Sequence, residues 1–232
     1  MQDQLAADAR VCTYDRAGYG RSEPGPAPRH SRQAATELKL LLEKARVKGP
    51  YLLVGHSLGG MNAQVFAGNY PDLVAGLVLV DPPPIDFVRA PRGGAEPAFP
   101  GLHQMLSGQA AELAAAAEQT ANATDPQAKA QSRYLAAVAS ELQMFVSESA
   151  EQAIAVESFG DTPLVVLAAG RPNPDFGEQA DAFQRFWIEQ SRGVAQKSVG
   201  GRFVLVPESG HHLHQDAPDR VVEAVRQALS RA

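Results

Sequence analysis

Pro50-Tyr51-Leu52-Leu53-Val54-Gly55-His56-Ser57-Leu58-Gly59-Gly60 is the stretch that decides how the chain is read. Tyr51 to Val54 is a short apolar run, partly aromatic and β-branched, which reads as a buried strand. Gly55-His56-Ser57-Leu58-Gly59 follows without a spacer, and a helical pattern starts at Gly60. The order is strand, sharp turn, helix, with a serine at the apex. G-x-S-x-G in that setting is the pattern of a nucleophile elbow, a turn that strains the backbone at Ser57 and lifts its hydroxyl over the carboxyl end of a sheet. The residues two before and two after must have almost no side chain, and Gly55 and Gly59 meet that need. The Leu58 N–H lies at a helix N-terminus, where negative charge is favoured. The bland alternative is a chance match in a chain with many glycines; the flanking strand and helix argue against it.

Working outward, the chain of 232 residues is long enough for one domain, or one domain with an insert, and a substantial core. It is 44 % hydrophobic, an ordinary globular composition. A net charge of −5 with no run of Lys or Arg argues against nucleic acid and against an anionic membrane surface as partners. The apolar runs are too short to span a bilayer. The single cysteine, Cys12, excludes an internal disulfide, which fits a reducing, cytoplasmic setting, and it reads as a buried strand residue. The start, Met1-Gln2-Asp3-Gln4, lacks the basic and apolar segments of a signal peptide.

Strands are expected at residues 11–14, 51–54, 74–80, 162–169 and 202–206. Helices are expected at residues 31–45, from Gly60 to Pro71, at 178–191 and at 218–228. Alternating strands and helices imply an α/β fold with a mostly parallel sheet covered on both faces. Residues 85–101 are rich in Pro and Gly and aperiodic, and 102–159 is Ala- and Glu-rich and reads as helical. The expected division is a core in two parts, 1–84 and 161–232, interrupted by a helical insert at 85–160.

A serine hydroxyl needs a base, and the base an orienting group. His211, after Glu208-Ser209-Gly210 and directly beyond the last strand, is the expected base, and the preceding glycine favours it over His212 and His214. Three histidines within four residues also have a metal-site reading, set aside because no acidic or Cys partner is spaced to complete it. Neither a metal nor a cofactor is called for by these residues. His56 flanks Ser57 and is expected to line the site; His30 and His103 lie in loop and insert. The acid is Asp81, at the end of the strand after the nucleophile helix, or Asp175, beyond a Gly170-Arg171-Pro172-Asn173 turn that holds Asn where many elbow hydrolases carry Asp.

YDRAGYGRS, GPYLLVGHSLGG, YPDLVAGLVLVD, TPLVVLAAG and ESGHHLHQDAPDRVVEAV, in that order, resemble the α/β-hydrolase family, and in particular bacterial hydrolases with a helical cap. The resemblance implies an eight-stranded, mostly parallel sheet, a triad of Ser57, an acid and His211, and a cap formed by residues 102–159. Its dehalogenase and epoxide-hydrolase branches carry Asp where this chain has Ser57, so their substrates are not expected. Family members usually place a third strand ending in a His-Gly loop before the segment at 11–15, and that loop supplies a second oxyanion donor. No His-Gly precedes Val11, so the expectation is a chain lacking the N-terminal strands, with the 11–15 segment either paired to 51–54 or unpaired.

The leading expectation is a serine hydrolase acting on a small carboxylic ester or related acyl compound. The alternatives are a non-catalytic or impaired binder of an apolar small molecule, and an acyltransferase working through the same acyl-enzyme. The sequence leaves the substrate and the oligomeric state open.

Overall fold

The structure, a computed structural model, describes residues 1–85 and 99–232. In chain order the elements are α1 (Ser31–Lys44), β1 (Tyr51–His56), α2 (Leu58–Asn69), β2 (Val74–Val80), α3 (Pro100–Thr120), α4 (Pro126–Phe145), α5 (Glu148–Ile154), β3 (Leu164–Ala169), α6 (Ala180–Ala195), β4 (Arg202–Val206) and α7 (Pro218–Leu229). Short helical turns lie at Gln2–Leu5, Pro71–Leu73, Pro174–Gln179 and Leu213–Asp216. The chain falls into two compact units. Met1–Val11, Ala35–Ile85 and Ala153–Ala232 form the first; Cys12–Ala34 and Asp86–Gln152 form the second.

The first unit is built on a sheet of four parallel strands in the order β1-β2-β3-β4. Its central strands β2 and β3 are near-continuous Val, Leu and Ala because both of their faces are covered. On one face Val78, Val80, Val165, Leu167, Ala169 and Val206 pack with Val221, Val222, Val225 and Ala228 of α7. The registers Val78↔Val165, Val80↔Leu167 and Ala169↔Val206 place these side chains in rows, as the two-residue strand period requires. Leu77, Leu79, Leu164, Val166 and Ala168 alternate with them and are equally buried on the other face. The α7 pattern Val221, Val222, Val225, Ala228 is a helical stripe, opened by Pro218 at a position that needs no N–H.

Four of the five expected strands form. Residues 11–14 do not: that segment carries no strand pairing, and Cys12, Thr13 and Tyr14 are exposed, so the expected buried cysteine is a surface one. Strand propensity describes fit to a half-buried pleat, and a segment with no neighbouring strand has no pleat to fit. The eight strands implied by the resemblance are four among the described residues.

In the second unit α3 and α4 pack along one another. Asp125 caps α4, its side chain accepting from the Ala128 N–H at 2.8 Å. The Cys12–Ala34 segment is tied to the α4–α5 region by polar groups. Glu141, almost fully buried, receives Arg16 Nε and Nη2 at 2.9 and 2.7 Å and the Tyr19 hydroxyl at 2.5 Å. The Arg29 N–H donates to Ser140 Oγ at 3.0 Å and the Ser31 N–H to Ser149 Oγ at 2.9 Å. Gly18 has a positive φ of 86°, and a Cβ there would meet that of Ala137 at 2.6 Å, so only glycine fits this crossing. The helical reading of 102–159 corresponds to α3, α4 and α5; most of the loop expected over 85–101 lies outside the described residues.

Candidate active site

The site is assembled at the carboxyl ends of adjacent parallel strands. β1 ends at His56, and Ser57 follows with φ 52° and ψ −124°, a conformation that costs a non-glycine residue roughly 1–3 kcal/mol. The ladder continues through the strained residue, whose N–H donates to the Val80 carbonyl at 3.0 Å. Leu58 then opens α2, a position whose N–H has no intrahelical acceptor. A Cβ on Gly55 would sit 2.3 Å from the Gly59 carbonyl oxygen, so Gly55 is required. The matching expectation for Gly59 fails: a Cβ there meets nothing within 4 Å among the described residues. The crowding falls one residue later, on Gly60, where a Cβ would meet the Gly55 carbonyl oxygen at 3.2 Å and Pro82 Cβ at 3.3 Å.

One strand over, Asp81 extends the end of β2. It too has a positive φ, 47°, in the left-handed region that Asp tolerates better than most residues. Its N–H donates to the Leu167 carbonyl at 2.8 Å, which fixes the backbone across β2 and β3. Its carboxylate is divided between two partners. Oδ1 accepts the Ala169 N–H at 2.9 Å, and Oδ2 lies 2.7 Å from His211 Nδ1. Asp81 is almost fully buried and His211 about one-third exposed. Asp175, the alternative acid, is exposed in the Pro174–Gln179 turn, where its N–H donates to Asn173 Oδ1 at 3.0 Å. The geometry therefore joins His211 to Asp81.

His211 is held by its surroundings as well as by Asp81. His56 Nε2 lies 2.7 Å from the His211 carbonyl oxygen, so this ring nitrogen carries a proton and donates. Burial, reinforced by His211, His214 and His212 and opposed by that carbonyl bond, pushes the His56 imidazole down to about 4. It is neutral at pH 7. The loop before His211 is pinned by Asp216, whose Oδ2 accepts the Gly210 N–H at 2.8 Å and pairs with Arg171 at 2.7 Å. The Gly210 N–H, then Arg171, hold this exposed carboxyl below the usual carboxylate range.

Sequence reasoning missed Trp187 of α6. Its ring meets His211 edge to face, 5.3 Å between centroids, and its buried Nε1–H has no hydrogen-bond partner among the described residues. It is the chain's one tryptophan and falls inside an expected helix, but helical periodicity does not say which strand end that helix will cover. Arg171 and Asp216 were also unmarked, since their pairing depends on two loops meeting.

A serine at a strained strand-to-helix turn, a buried Asp after the next strand, and a His paired to it after the last strand define the layout of an α/β hydrolase. A match to the alpha/beta hydrolase family spans residues 1–224, and the chain belongs to that family. It is similar, over its whole length, to the structure of a thermophilic esterase from Thermogutta terrifontis, with 22 % identity, a TM-score of 0.64, and coverage of 99 % of this chain and 82 % of that one. Over 83 residues it is 39 % identical to the human (lyso)-N-acylphosphatidylethanolamine lipase, a match covering 34 % of this chain and 24 % of the lipase. Over 73 residues it is 41 % identical to a vacuolar membrane protein of Saccharomyces cerevisiae, 31 % of this chain and 11 % of that protein. The chain thus spans about a tenth of the yeast relative's length. No helix among the described residues is long and apolar enough to cross a membrane.

Proposed function

We propose that the chain is a serine hydrolase that cleaves a carboxylic ester or a related acyl compound through an acyl-enzyme on Ser57. The observation that carries this reading is the 2.7 Å contact between buried Asp81 and His211, at the same sheet end as the strained Ser57 turn. His211 takes the Ser57 proton as the hydroxyl attacks the acyl carbon, then returns it to the leaving alcohol. Asp81 orients the ring and stabilises the imidazolium. The Leu58 N–H, at the helix terminus, faces the negative charge that develops on the carbonyl oxygen. Water, deprotonated by His211, then releases the acid. Ser57, where an attacking Asp would otherwise stand, supports an ester over an epoxide or haloalkane.

A fluorophosphonate probe tests this. The wild-type chain is expected to take up one equivalent, with the modified peptide containing Ser57, and Ser57→Ala is expected to take up none. No adduct on a folded wild-type chain, or equal labelling of Ser57→Ala, overturns the proposal.

A further inference from the structure

Ser57, Asp81 and His211 leave three nearby imidazoles without a role in the chemistry. One ring nitrogen each from His56, His212 and His214 lies within 4.8 Å of the others. The ring centroids are 4.7 Å apart for His56 and His214, 5.7 Å for His56 and His212, and 5.8 Å for His212 and His214. Two of the rings offer a nitrogen for ligation. His56 donates its Nε2–H to the His211 carbonyl, which leaves Nδ1 as its lone pair; metal-binding histidines commonly fix their second nitrogen in this way, on a backbone carbonyl or a carboxylate. His214 Nδ1 is buried with no hydrogen-bond partner among the described residues, and its Nε2 lies 3.4 Å from Gln215 Nε2; ligation through Nδ1 moves the ring proton to Nε2, so the Gln215 amide turns its oxygen to it. His212 is exposed and can turn its ring without disturbing the core.

We propose that His56, His212 and His214 form a binding site for one divalent transition-metal ion of the zinc class. Three imidazoles and no carboxylate suit Zn2+, Co2+, Ni2+ or Cu2+ and are a poor set for Ca2+ or Mg2+. A tetrahedral ion with bonds of about 2.0–2.1 Å wants its nitrogens about 3.3 Å apart, so the rings close by roughly an ångström on binding and water completes the set. In the sequence the three clustered histidines were His211, His212 and His214. The fold exchanges one of them, bringing in His56 from the elbow strand while His211 is committed to Asp81, so the protein ligands number three. Bound metal would tether the 211–214 loop to the residue beside Ser57.

The test uses the untagged full chain, stripped with chelator and titrated with Co2+, whose visible absorption reports ligation directly and independently of any hydrolysis. One saturable equivalent with a nitrogen-ligand spectrum is expected, displaced by Zn2+. His212→Ala and His214→Ala should each weaken binding about tenfold or more, and the exposed-site control His103→Ala should not. His212→Gln covers the case in which His214→Ala fails to fold. No saturable site in the wild-type chain, or unchanged binding by folded His212→Ala or His212→Gln, overturns the proposal.

Discussion

On the proposed mechanism Asp81 has to be a carboxylate and not merely an acceptor. One oxygen is committed to the Ala169 N–H and the other to His211 Nδ1. An amide would keep its oxygen on the Ala169 N–H and turn its NH2 towards His211. The ring would then have to accept at Nδ1 and carry its proton on Nε2, where a base needs a lone pair. Asp81→Asn should therefore fold normally and lower kcat about 10³–10⁴-fold with little change in KM, read by ester hydrolysis and by the rate of fluorophosphonate labelling. His56 makes a different prediction. Its pKa in the folded chain, about 4, lies below its ordinary 6.5. Between those values the unfolded chain takes up a proton that the folded chain refuses, so stability falls as pH is lowered from 6.5 towards 4 and is unaffected by this group above that range. Urea midpoints across pH 4–8 should show this slope, and His56→Gln, which keeps an N–H for the His211 carbonyl, should flatten it. Ser57 and Asp81 could be singled out as candidates because each stands directly after a strand, and His211 because a glycine precedes it in the loop beyond β4. The residues that hold His211 in place, Trp187 and Asp216, were not, because nothing local to them marks a strand end.

At the scale of elements, the elbow illustrates how a motif can be right while one of its reasons is wrong. Both glycines of G-x-S-x-G were expected to be there for lack of room, yet only Gly55 abuts backbone. Gly55→Ala should cost about 2 kcal/mol or more, since the Gly59 carbonyl it meets is part of α2 and cannot turn aside. Gly59→Ala should be neutral or should stabilise by up to about 1 kcal/mol, because alanine is the better helix former in α2. Urea unfolding of the two variants side by side checks the contrast. The four strands were legible from their apolar runs, and α7 from its stripe. The segment at 11–14 has the same β-branched and aromatic texture but no partner strand among the described residues, a tertiary circumstance that propensity does not contain.

For the whole molecule, the least legible feature was the composition of the second unit. A helical stretch between two strands reads as an insert, but Cys12–Ala34, far earlier in the chain, is part of the same compact unit as Asp86–Gln152. The groups that join them, Arg16 and Tyr19 to Glu141, are ordinary surface residues by composition. Burial, and then the neighbouring Glu141 charge, holds the Tyr19 hydroxyl well above its usual range, so it stays a donor. In Glu141→Gln an amide nitrogen would face a donor from Arg16 or Tyr19. The expected cost is about 1–3 kcal/mol, discounted because Arg16 is partly exposed. Hydrogen exchange should show the loss of protection concentrated in residues 12–34, with β2 and β3 unchanged.

β1 carries Ser57 at its end and, among the described residues, has a neighbouring strand on one side only. Val54 on it is 50 % exposed. A lone flank of this kind recruits foreign β-segments, because main-chain groups there have bonding capacity to spare. Whatever added to that flank would lie against the strand that carries the proposed nucleophile, so rates are expected to vary with protein concentration and should be compared at matched dilution.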